Sequence, residues 1–306
     1  MAFPKTLQEF QASFPDEEAC WTRLRRARWP DGFVCPRCGS QESSWISTRR
    51  LEQCRRCRYQ GSVTAGTVFH RTRLPLVSWF WAIFFLARHK KGISALQLQR
   101  DTGIGSYQTA WALLHKLRST LGPRPQDRLS GLVEVDESYV GGSERGLRGG
   151  REIRSKSIVV GAVEQRASTA GRARLGVLRG VSLEDLGPFV CGVVDAEHAT
   201  VRTDGFQPYR GLPRLGIRHD RRVQGLDPEA SSRILPWVHR VFGNLKTWLR
   251  GTFHGVSAKH LPRYLDEFTY RFDRRWREGE LFGFVLLRAV RGEPLPYARL
   301  VAEASG

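Results

Sequence analysis

Val133-Glu134-Val135-Asp136-Glu137-Ser138-Tyr139-Val140-Gly141-Gly142 alternates apolar and polar side chains and then stops at two glycines. Period-two alternation is the mark of a strand, and it sets Val133, Val135 and Glu137 on one face and Glu134, Asp136 and Ser138 on the other. Working outward, Leu132–Val140 is expected as the first of three consecutive strands, followed by Ser157–Glu164 and Ala173–Val181, each rich in Val, Leu or Gly and bounded by Gly or Arg turns. Ser182-Leu183-Glu184-Asp185 reads as a capping box that opens a helix to about Val190. Val201–Thr203 and Leu215–His219 are short strands flanking a helix near Gln207–Tyr209, and from Ala230 to Arg275 the period is helical, broken at Gly251 and Gly255.

Three strands, a helix, a strand, a helix, a strand and terminal helices make an α/β domain with a mixed sheet. That order matches an RNase H-like nucleotidyl transferase fold with flanking helices. A Pro-rich spacer, Leu121-Gly122-Pro123-Arg124-Pro125, separates it from the front of the chain.

In front of the spacer, Cys35-Pro36-Arg37-Cys38 and Cys54-Arg55-Arg56-Cys57 form two C-x2-C pairs at zinc-ribbon spacing. Each pair turns as a knuckle with both thiolates on one side, so two knuckles close a tetrahedral, purely structural Zn2+ site, one per chain. Four free thiols, or two disulfides in a secreted protein, are the other readings of the same residues. Cys20 and Cys191 have no partner at ligand spacing and are expected as buried small apolar residues. Leu7–Arg28 reads as one or two helices around Pro15, and Leu74–Leu86 as a core helix begun by Pro75, because it is shorter than the about 20 residues of a bilayer span.

After that helix, Gly92–Arg118 carries a short helix with Leu96 inward, a Gly103-centred turn, and a second helix with a serine cap and Ala110, Leu113, Leu114 and Leu117 inward. This is a helix-turn-helix pattern, which also occurs in plain structural hairpins. Read as a DNA-binding module, it puts Ser106, Tyr107, Gln108 and Thr109 at base edges and Lys116 and Arg118 near phosphates.

The charge supports a polyanionic partner. The chain has 306 residues and a formal net charge of +19, and residues 1–130 alone hold 21 basic and 9 acidic side chains, which makes the front the expected docking surface. No cationic stretch followed by an apolar run opens the chain, so a cytoplasmic protein is expected.

Asp136 lies on the first strand and Asp204 follows the fourth in Thr203-Asp204-Gly205. Carboxylates at the ends of adjacent strands are placed to hold two Mg2+ ions about 3.5–4 Å apart. On these two residues alone, a turn residue before glycine and a solvated strand end is the reading to prefer.

The ribbon, the helical pair, the Val133–Gly142 strand, Thr203-Asp204-Gly205, Leu235–Leu249, Gly251–Leu261, Tyr264–Phe268 and Arg271–Arg275 together resemble bacterial transposases of the insertion sequence 1595 family, from about Phe14 to Arg275. The resemblance implies two catalytic aspartates, here Asp136 and Asp204, and a third magnesium ligand on a late helix, here Asn244, followed by Lys246. No Asp or Glu lies between Leu235 and Leu265, so that stretch supplies no third carboxylate. Glu134 and Glu137 are the reserve carboxylates. Asparagine offers Mg2+ one neutral oxygen, and Lys246 suits a phosphate or flanking DNA. Phe253 and Asp273 stand where relatives carry histidine and asparagine. His239 and His254 are candidates for orienting water or a terminal phosphate. The run Arg233–Arg263, with Arg240 and Arg250 and with Trp237 and Trp248 interleaved, suits a DNA groove.

The implied protein binds double-stranded DNA at the terminal inverted repeats of its element, cleaves the 3′ ends and joins them to target DNA, self-associating on DNA and with no membrane partner. A DNA-binding regulator with an inactive α/β domain and a structure-specific nuclease are the rival readings. The expected segments are 1–32 helical, 33–66 zinc ribbon, 67–120 helix-turn-helix, 121–130 linker, 131–277 catalytic domain and 278–306 a tail.

Overall fold

The computed structural model describes residues 3–141, 156–223 and 234–302. The chain divides into one unit of Met1–Leu121 with Arg277–Gly306 and another of Gly122–Trp276. In the first, α1 (Leu7–Ser13) and α2 (Glu17–Arg28) are capped by Thr6 and Asp16, whose side chains accept from the N–H groups of Glu9 and Ala19. A three-stranded antiparallel sheet follows, with β1 (Ser43–Ile46), β2 (Leu51–Cys54) and β3 (Gln60–Ser62) in that order. The apolar run is α3 (Leu76–Arg88), buried along most of its length. Its Pro75 offers no capping side chain, and the carboxylate of Glu17 caps it instead, accepting from Leu76 and Val77 at 2.8 and 3.0 Å. Among the described residues no helix is long and apolar enough to cross a membrane.

Two helices then flank a tight turn: α4 (Ala95–Thr102), capped by Ser94, and α5 (Tyr107–Arg118), capped by Ser106, with Gly103 at φ +67° between them. Ala110, Leu113, Leu114 and Leu117 are buried as expected, but Leu96 is not: it is 45% exposed, and Ala95 and Leu98 face inward. Each helical step turns about 100°, so a helix that begins at Ala95 and buries Leu98 carries Leu96 out to solvent.

The first unit also takes in a helix from the segment expected as a tail. Leu281–Arg291 is a helix whose Phe282 sits 5.6 Å from Phe14 and 6.0 Å from both Phe10 and Phe80, and Leu281, Val285, Leu286 and Val290 are buried with it.

The second unit is a five-stranded sheet in the order β6-β5-β4-β7-β8. β4 (Leu129–Val140), β5 (Ser157–Arg166) and β6 (Thr169–Leu178) are antiparallel neighbours. β7 (Val194–Thr203) and β8 (Arg218–Arg221) run parallel to β4 and to each other. The capping box is present: Ser182 and Asp185 bond reciprocally at the start of α6 (Leu183–Val193), which leads straight into β7. β7 therefore begins seven residues before the expected Val201, and Gln207–Leu215 is a 3-10 helix that takes up the first residue expected for β8.

Leu186 and Val190 of α6 and Tyr209 and Leu212 of the 3-10 helix cover one face of the sheet, over Val133, Val135 and Val160. On the other face, α7 (Pro236–Phe253) and α8 (Leu261–Asp273) bury Phe242, Leu245, Leu265 and Phe268 against Val159 and Val163. Gly251 does not break α7, which continues to Phe253; an interior glycine costs about 1 kcal/mol, and burial of Leu249 offsets it. Gly161 determines how closely α7 approaches: a Cβ there would meet the Phe242 ring at 2.9 Å and Val238 at 3.1 Å. On β5 it pairs with Asp136 of β4, so the helix comes nearest the sheet beside that aspartate.

Candidate metal and catalytic sites

In the ribbon, the Sγ atoms of Cys35 and Cys57 are 3.5 Å apart and those of Cys38 and Cys54 3.6 Å, and all four lie within 4.8 Å of one another. Four sulfurs at about 2.3 Å from a tetrahedral zinc stand about 3.8 Å apart, so the donor set and its spacing fit Zn2+. No bond joins them as disulfides. The Cys57 N–H donates to the Cys54 sulfur and holds that thiol down at about 6, in the thiolate range a metal requires. Cys35 and Cys54 are buried, with Phe33 packed on them and Trp29 edge-on to Phe33 at 5.0 Å. Arg25 of α2 pairs with the buried Glu52 of β2 and ties the ribbon to that helix. Cys20 is fully buried, and burial, then Glu17 and Asp16, push its thiol up to about 12; Cys191 packs at the edge of the core over α6.

At the start of α5, Ser106 accepts from the Thr109 N–H at 3.1 Å, Tyr107 is 53% exposed, and Gln108 is exposed and donates to the Tyr297 hydroxyl. Lys116 is half-buried, and burial lowers its pKa. Arg118 is 1% exposed. It lies on the inward face with Leu114 and Leu117, so the expected phosphate contact is not available to it.

The second unit gathers the carboxylates. Asp136 stands near the end of β4, and Asp204 follows the last residue of β7; the parallel register Glu134↔Arg202, carried on by two residues, sets them side by side. Asp204 accepts from the Phe206 N–H at 2.9 Å; burial first, and then the charge of Asp136, raise its pKa. Glu137, on the opposite face of β4, accepts from Tyr209 at 2.6 Å, and burial together with the charges of Asp136 and Asp204 pushes it up to about 7. Such a cluster of mutually repelling carboxyls is stabilised by a cation.

On α7, the side chain that meets Asp136 is His239 and not the expected Asn244. His239 places its Nε2 2.9 Å from Asp136 Oδ2, and that hydrogen bond raises the pKa of the imidazole. Asn244 is exposed. Five positions on from His239 it is rotated about 140° around the helix, which turns it away from Asp136, whereas Lys246, seven positions on, returns to within about 20°. Lys246 accordingly donates to Ser138 at 2.7 Å, on the same strand face as Asp136, and burial with Arg250 and Lys156 nearby lowers its pKa.

Glu134 fixes that phase. Fully buried beneath the start of α7, it accepts from the Trp237 and Val238 N–H groups at 2.8 and 2.9 Å, and its role is anchoring the helix. Nothing in the local pattern of α7 distinguishes His239 from Asn244; only the carboxylate that docks the helix does.

Arg240 lies over the Trp237 ring at 4.8 Å and is exposed, as is Arg250, while Arg233 lies outside the described residues. Trp248 is no stacking platform. It is partly buried and packs against Phe253, Tyr264 and Phe268 at 4.8, 6.4 and 5.7 Å, at the edge of the core beneath α8. His254 is exposed at the C-terminal end of α7, with φ +54°. Asp273 pairs with Arg174 at 2.7 Å and accepts from the Ala173 N–H, joining α8 to β6. Among the described residues the four cysteines are the one group of three or more ligand-type side chains gathered to hold an ion, so the acidic site rests on its two carboxylates.

Residues 128–273 match the ISXO2-like transposase domain, and residues 15–60 match the transposase zinc-ribbon domain. An uncharacterized protein in transposable element ISH50 of Halobacterium salinarum is 29% identical over 221 residues, covering 65% of this chain and 71% of that protein.

Proposed function

Because the chain belongs to the insertion sequence 1595 family of transposases, we propose that it cuts and joins DNA with Asp136 and Asp204, inside an RNase H-like domain. The observation that carries this reading is the placement of Asp136 on β4 and Asp204 just past the end of the neighbouring parallel strand β7, with His239 bonded to Asp136. Mg2+ fits the hard oxygens of Asp136 and Asp204; bound there, it supplies Lewis-acid activation of a water or a 3′-hydroxyl and neutralisation of the leaving oxygen.

The chain's own residues do the positioning. His239 holds Asp136 in one orientation. Lys246 and the exposed Arg250 face an incoming phosphate from the same side of α7 and offset its charge. Zn2+ in the four-cysteine site holds the ribbon together. The exposed Tyr107 and Gln108 at the start of α5 read the terminal inverted repeats of the element, with Lys116 near phosphate, and the protein self-associates on DNA.

Incubating the full chain with labelled inverted-repeat DNA and either Mg2+ or Mn2+ tests the proposal. Joined products are expected, and Asp136→Asn or Asp204→Asn should remove cutting and joining together while DNA binding persists. Cutting without joining would indicate a nuclease, and binding alone a regulator; either result refutes strand transfer.

A further inference from the structure

Beside the carboxylates, β4 and the C-terminal half of α7 enclose a pocket of about 630 Å³. Lys246, Arg250 and His254 bring basic groups to it, Val140, Leu249 and Val256 bring apolar surface, and no carboxylate is part of its lining. That volume lies in the range of small-ligand sites, and the combination of basic groups with apolar wall suits a ligand that is anionic at one end and flat and weakly polar at the other. Lys246 links the pocket to the acidic site, because its ammonium bonds Ser138, two residues along the same strand face from Asp136. The pocket and Asp136 therefore share one face of β4.

We propose that the pocket receives one unstacked nucleotide of a DNA strand, its phosphate against Arg250 and Lys246 and its base against the aliphatic wall of Val140, Leu249 and Val256. This rests on the reading of the second unit as a DNA-processing domain. It goes further in giving one nucleotide a binding site of its own, with affinity that depends on the presence of a base. Base contacts of this kind tolerate any sequence, because every base has a flat face.

The experiment uses the full chain and fluorescently labelled five-nucleotide probes: oligo(dT), and the same strand with a single abasic position at its centre. Anisotropy should show about tenfold weakening for the abasic probe, the scale of burying one apolar face of a base. Ser157→Leu with Ala258→Leu fills the pocket and takes the space of the base, and should erase the difference while leaving the salt dependence of abasic binding intact. Circular dichroism and zinc content establish folding, and the two single variants serve if the pair does not fold. Equal affinity for the two probes, or a difference that survives filling, overturns the proposal. Asp136→Asn should leave the difference in place. A protein that joins element ends but ignores the base thus loses the pocket and keeps the proposed function; one that senses the base but joins nothing does the reverse.

Discussion

Replacing Glu137 by Gln should make the second unit more stable at pH 8 and leave it nearly unchanged at pH 4.5. The carboxyl is partly buried between Tyr209 and the two aspartates, and its pKa rises from an ordinary 4.5 to about 7. An unfolded chain releases this proton near pH 4.5 and the folded chain near 7, so folding takes up a proton across that window. The stabilisation is fully present below pH 4.5, falls as pH rises, and is gone above about 7. A shift of that size corresponds to about 3 kcal/mol, a ceiling because the group retains some contact with water. Glutamine keeps an acceptor for Tyr209 and has no proton to lose. Hydrogen exchange of peptides covering Leu129–Val140 and Ser157–Arg166, compared between wild type and Glu137→Gln at the same pH, cancels the intrinsic pH dependence of exchange. The variant should be better protected at pH 8, with the gap closing toward pH 4.5. Equal protection at both pH values would refute the argument that the aspartates and burial hold Glu137 protonated.

Cys54→Ser should lower zinc from one ion per chain to none by elemental analysis and unfold the ribbon, because thiolate coordination in small zinc modules contributes on the order of 10–16 kcal/mol. His239→Ala should lower strand cleavage and Mn2+ affinity, the latter followed by electron paramagnetic resonance, by about 10- to 100-fold, as loss of a group that orients a metal-bound carboxylate does; Asn244→Ala should change neither by more than about twofold. Glu134→Ala should cost about 3 kcal/mol or more in denaturant unfolding of the second unit, since it strands two buried N–H groups at the start of α7.

Several features were legible along the chain because they are local. Two C-x2-C pairs turn as knuckles wherever they occur, serine caps declare the starts of α5 and α6, and alternation in Val133–Val140 separates the Asp136 face from the Val135 face without reference to any neighbour. Element edges were less legible where polar residues continue a strand, as at the start of β7, since its register comes from pairing with β4.

Which side chains of α7 meet Asp136 was not legible at all. A helix presents every residue at its own angle, and the sequence of α7 determines those angles only relative to one another. Their absolute setting comes from the sheet: Glu134 captures the first N–H groups of the helix, and Gly161 lets Val238 and Phe242 settle against β5, which turns His239 and Lys246 inward and Asn244 out. The same cause displaced Arg118, Leu96 and Trp248 from their expected roles and drew Leu281–Arg291 into the first unit, where the aromatic cluster around Phe282 supplies a core that no local pattern announces. Periodicity is a property of a segment, whereas the face that ends up buried depends on the partner surface, and that partner is brought into place only by tertiary packing.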